Sequence, residues 1–101
     1  MKNLVLVFNA SVQQSVTDQL RALDVTGFTV SQVEGHGPHT AQDPFLSSRD
    51  RVVGFVPRVR VDIVLPSERV TVVLDALREP HTGLAGHGVY WISPVESFER
   101  F

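Results

Sequence analysis

The first apolar stretch, Leu4, Val5, Leu6, Val7 and Phe8, is unbroken and of strand length, the pattern of a central strand buried on both faces. Val12, Val16, Leu20 and Leu23 then recur at helical spacing, and Ser11 followed by Gln14 three residues on reads as a capping box. Gly27 punctuates, and the alternation of Phe28, Thr29, Val30 and Ser31 predicts a second strand ending near Glu34. A polar stretch fills 35–54. Beyond it Val59, Val61, Ile63 and Leu65 share one face of a third strand, while Arg58, Arg60 and Asp62 share the other. Pro66 closes that strand, and Ser67 is positioned to cap a helix with an apolar stripe of Val70, Val73, Leu74 and Leu77. Glu68 in its first turn and Arg78 near its last suit the helix dipole. A turn-rich connection over 80–88 leads to a fourth strand at Val89, Tyr90, Trp91 and Ile92, ended by Pro94, with a short tail over 94–101.

The predicted order is βαββαβ, a ferredoxin-like α+β fold with two helices on one face of a four-stranded antiparallel sheet. One face of such a sheet stays uncovered. Because the first strand is apolar on both sides, its second face calls for burial, and a homo-oligomer is the economical way to supply it. Arg58, Arg60 and Asp62 would then lie near subunit contacts or clefts.

Composition narrows the function classes. The 101 residues form a single domain, 43% hydrophobic and 20% charged, as expected of a globular chain. A net charge of −2 makes no case for nucleic acid or an anionic membrane surface. The absence of cysteine excludes disulfides, thiolate catalysis and cysteine-based zinc sites. The N-terminal apolar run falls far short of the roughly 20 residues that span a bilayer, and it lacks the pattern of a signal peptide. The reading is cytoplasmic, without direct membrane insertion.

Candidate chemistry concentrates in the two long connections. The first opens with Gly35, His36, Gly37, Pro38 and His39, where glycines permit close backbone approach to a ligand. The second, Thr82, Gly83, Leu84, Ala85, Gly86, His87 and Gly88, offers backbone N–H groups to an anion, or is simply a turn before the last strand. His36, His39, His81 and His87 are a possible metal set, set against an ordinary role as polar loop residues. Arg58 and Arg60 suit carboxylate or phosphate, or else pair with Asp62 on an exposed strand face. Ser11, Ser47 and Ser48 sit in no nucleophile-elbow pattern, and the reading is non-enzymatic.

Taken together, these segments resemble the PII signal-transduction family and its PII-like relatives. The stretch from Val25 through Thr29 to Gly37 looks like the family's strand entering its T-loop, here about 36–54. The run Phe55, Val56, Pro57, Arg58, Val59, Arg60, Val61, Asp62, Ile63, Val64, Leu65, Pro66 is similar to the family's F-L-P-K-V-K-I-E-I-V-V-P, and Thr82 to Gly88 to its B-loop, here about 81–88. The resemblance implies a homotrimer with adenine nucleotide (ADP, AMP or ATP), or a small anion such as bicarbonate, in clefts between subunits. It also implies a T-loop that controls a membrane transporter or metabolic enzyme. Carried over by position, Thr29 and Val64 would neighbour the adenine. Gly35, Gly37, Gly83, Gly86 and Gly88 would offer backbone contacts, Arg58 and Arg100 charge near phosphates, and His39 and His87 further effector contacts. The departures are specific: the family's T-loop glutamine falls at His39, its modified tyrosine at Leu46, and its B-loop lysines at Leu84 and Val89. The alternative is a metal-binding, CutA-like trimer linked to heavy-metal tolerance or efflux, using the loop histidines.

Overall fold

A computed structural model describes residues 1–25, 27–36 and 56–101. In chain order these form β1 (Lys2–Asn9), a 3-10 turn (Ala10–Val12), α1 (Gln13–Ala22), β2 (Thr29–Gly35), β3 (Val56–Leu65), α2 (Ser67–Leu77), a second 3-10 turn (Pro80–Thr82) and β4 (Gly88–Pro94). The strands make one antiparallel sheet in the order β2-β3-β1-β4, the ferredoxin-like α+β arrangement the periodicity predicts.

β1 is central because its side chains have somewhere apolar to go. Leu4, Leu6 and Phe8 stand opposite Ile63, Val61 and Val59 on β3, and all six are buried beneath the helices. Val16 and Leu20 of α1 and Val70, Val73, Leu74 and Leu77 of α2 complete that core. Burying each such side chain stabilises the fold by about 1.5–3 kcal/mol relative to leaving it in water. The Arg69 guanidinium donates to the Leu23 carbonyl at 2.8 Å, tying α2 to the end of α1 and satisfying one carbonyl there.

Two local expectations are corrected. Ser11 does not open α1 through a capping box: it lies in the 3-10 turn, and the Asn9 side chain accepts the Ser11 backbone N–H at 3.0 Å, so the asparagine caps the turn as the chain leaves the strand. Ser67 is the first residue of α2 rather than its side-chain cap, and the backbone carbonyl of Pro66 takes the Arg69 N–H at 2.9 Å. After α1, Asp24 takes a left-handed conformation at φ +59°, and Gly27 lies in the stretch before β2. Aspartate is among the few residues that tolerate this left-handed region, and the adjoining Val25 N–H reaches back to the Leu20 carbonyl at 3.0 Å.

The second face of β1 is covered at its centre within the single chain. Val5, on the face away from the helices, is only 1% exposed, flanked by Asp62 on β3 and Trp91 on β4. The unsatisfied apolar surface lies instead on the edge strand β4, where Val89 is 63% and Trp91 44% exposed. Both belong to the helix-free face, since Val89 pairs with Val7 and Trp91 with Val5.

Candidate functional site

The helix-free face carries three groupings along β3. At the end where β2 and β3 run toward the long loop, Gly35 pairs with Val56 and Arg58 lies over Gly35. A Cβ on Gly35 would sit 2.5 Å from Arg58 Cδ and 3.0 Å from its Cγ and would also meet Nε, so the glycine is what lets the arginine take this course. Arg58 Nη1 points to the His87 carbonyl oxygen at 3.5 Å, a long contact, and the same oxygen accepts the Asn9 N–H at 2.9 Å. The β3 arginine and the glycine-rich connection therefore meet. Among the described residues Arg58 has no carboxylate partner.

That connection is shaped by two left-handed glycines, Gly83 at φ +77° and Gly86 at φ +79°. The Ser15 hydroxyl of α1 donates to the Thr82 carbonyl at 2.9 Å, and the His87 N–H to the Leu84 carbonyl at 2.9 Å. Gly88 has a packing reason to be glycine. An added Cβ would stand 2.8 Å from Phe8 Cβ and 3.0 Å from the Val7 carbonyl oxygen.

In the middle of the face, Arg60 and Asp62 form a two-pronged pair, Nε to Oδ1 at 2.8 Å and Nη2 to Oδ2 at 3.0 Å. Asn3 donates to the same carboxylate at 3.4 Å, and the Arg60 guanidinium lies 5.5 Å from the Trp91 ring centroid. The hydrogen bond from Arg60 holds the Asp62 carboxyl below its usual range, against the opposing effect of partial burial, and the Arg60 pKa is raised in return. The charged stripe expected from sequence thus divides: Arg60 is committed to Asp62, whereas Arg58 is not. Asn3 and Trp91 were invisible as members of this network, because only the register of β1 with both neighbours brings them to it.

At the far end of β3 a cavity of about 600 Å³ brings together Thr29, Val64 and Arg100, with Phe28, Asp62 and Phe98 also in its wall. The predicted site residues therefore fall into two sets, with Gly35, Arg58 and the connection at one end of the strand and Thr29, Val64 and Arg100 at the other. Six residues of strand, or about 20 Å, separate Arg58 from Val64.

Among the described residues, His36, His81 and His87 form no shared metal site. His36 Nε2 lies 3.4 Å from Glu34 Oε2, His81 Nε2 lies 3.2 Å from Gln19 Oε1, and His87 belongs to the connection. Gly37 and His39 lie outside the described residues, as does most of the 36–54 loop. Among the described residues no three His, Cys, Asp or Glu side chains are grouped to hold a metal ion.

Comparison with known proteins agrees with this architecture. A family model described as "Protein of unknown function (DUF3240)" matches residues 1–101. The chain belongs to the DUF3240 family. The crystal structure of a DUF3240 family protein from Shewanella baltica OS155 superposes with a TM-score of 0.75, covering 99% of this chain and 94% of that one at 19% identity, which supports the shared fold. This DUF3240 chain is also 29% identical over 101 residues to the nitrogen regulatory protein P-II of Rhizobium meliloti (strain 1021). It is 26% identical over 101 residues to that of Azospirillum brasilense; each comparison covers 99% of this chain and 90% of the relative. The chain is thus a distant homologue of the P-II nitrogen regulatory proteins. Among the described residues no helix is long and apolar enough to cross a membrane.

Proposed function

We propose that this protein is a non-enzymatic, PII-like regulator that binds a small anionic effector in a cleft completed by a second copy of the chain. The observation that carries the reading is the division of the candidate residues between the two ends of β3. Arg58 with Gly35 and the 83–88 connection would hold the charged part of the effector, and Thr29, Val64 and Arg100 of a neighbouring copy its remainder. One small ligand meets both sets only when two copies bring opposite ends together. Similarity to the P-II proteins over 99% of this chain and 90% of theirs supports the same reading, and a homotrimer is the assembly it implies.

The effector is an adenine nucleotide (ADP, AMP or ATP) or a small anion such as bicarbonate. Its occupancy is conveyed through the 36–54 loop to a membrane transporter or a metabolic enzyme in the cytoplasm. The mechanism is a population shift: an effector that binds one loop arrangement more tightly changes partner affinity by that difference and no more. Isothermal titration with ADP, AMP, ATP and bicarbonate tests it. Saturable binding of at least one of them is expected, weakened about tenfold or more in Arg58→Ala, the scale of a lost charge-assisted contact. Absence of binding by all four contradicts the proposal.

A further inference from the structure

On the helix-covered side of the sheet, a cavity of about 220 Å³ opens between α2, the glycine-rich connection and β4. It shares Gly86 and Gly88 with that connection, but none of Thr29, Arg58, Val64 or Arg100 lines it. Leu6 and Phe8 of β1 and Leu74 and Leu77 of α2 line it with hydrocarbon. Leu84 adds to the apolar wall and also packs against the hydrophobic core. An apolar cavity of about 150 Å³ is enough to take up benzene, so this one has room for a single ring or branched aliphatic group with a short chain.

Its edge is polar and specific. Arg78 Nη2 donates to the Tyr90 hydroxyl oxygen at 2.9 Å, with the guanidinium 5.8 Å from the Tyr90 ring centroid. Because that oxygen already accepts from Arg78, the tyrosine O–H is left to donate, and no acceptor for it stands among the described residues. Arg78 Nη1 reaches Asp75 Oδ1 at 3.3 Å, but both side chains are largely exposed, so this ion pair holds the guanidinium only weakly. A planar cation and a hydroxyl donor side by side at the rim of an apolar cavity match a carboxylate attached to a hydrophobic body.

We propose that this cavity binds a small organic carboxylate, with its apolar body against Leu6, Phe8 and Leu77 and its carboxylate on Arg78 and Tyr90. The test is amide-shift NMR titration of the full chain with 3-phenylpropanoate and, as a neutral match, 3-phenylpropan-1-ol. The carboxylate is expected to saturate, shifting the amides of Phe8, Leu77 and Gly86, and to bind about tenfold tighter than the alcohol, the scale of a charge-assisted hydrogen bond. In Arg78→Gln that preference disappears while the alcohol binds as before, which also shows that the cavity has kept its shape. No saturable shift, shifts centred elsewhere, or an acid-to-alcohol preference unchanged in Arg78→Gln would overturn the assignment.

Discussion

Two arginines two positions apart on the same strand face have different environments. Arg60 is held by Asp62 and lies over Trp91, while Arg58 crosses Gly35 and points to the connection. The distinction has a titration signature. The Asp62 carboxyl is held low in the folded protein chiefly by the Arg60 hydrogen bond. Its contribution to stability is therefore present above the ordinary aspartate pKa of about 3.9 and is lost as pH falls from there through the lowered folded value. In Arg60→Ala the Asp62 pKa should rise toward that ordinary value, as read by carboxyl-carbon NMR across an acid titration, and the acid limb of the stability profile should flatten. An unchanged Asp62 pKa in that variant would mean that the pair is not what depresses it.

At the scale of elements, hydrophobic periodicity carried most of the fold. The split of Val59, Val61, Ile63 and Leu65 from Arg58, Arg60 and Asp62 was legible because a strand puts alternate residues on opposite faces. The ends of elements were less legible, since the Asn9 side chain caps the first turn and the Pro66 carbonyl opens α2, where Ser11 and Ser67 read equally well on paper. Gly88 illustrates the same limit. Within its sequence it looks like one more flexible glycine of the connection, yet in the sheet it lies against Phe8 and the Val7 carbonyl. Gly88→Ala should therefore destabilise the protein by about 1–3 kcal/mol in denaturant unfolding, as overpacking does. Gly27→Ala, where an added Cβ meets nothing within 4 Å, serves as the control and should cost little or stabilise slightly.

For the whole molecule, the sequence called for cover on the second face of β1, and the structure places the exposed apolar surface elsewhere. The all-apolar run of β1 suggested that its second face lacks cover, whereas Asp62 and Trp91 flank Val5 within the chain and the exposed apolar surface moves to β4. Trp91 is the sole tryptophan and is 44% exposed in a single chain. If copies assemble over this face, light scattering should give a trimer mass and tryptophan emission should be blue-shifted. Trp91→Glu should lower that mass, while a monomer mass with solvent-exposed emission would contradict assembly there. The candidate site residues were named through the resemblance to PII proteins, and their division between the two ends of β3 appeared only with the fold.

That division can be tested directly by subunit mixing. Arg58→Ala and Thr29→Trp chains, each expected to bind effector more weakly alone, by about tenfold or more, are refolded together and titrated with whichever of ADP, AMP, ATP or bicarbonate binds the unmodified protein. A cleft shared between copies predicts that mixing restores a fraction of full-affinity sites, formed where an intact Arg58 end meets an intact Thr29 end. No recovery on mixing, with mixed assemblies verified by mass, would contradict a shared cleft.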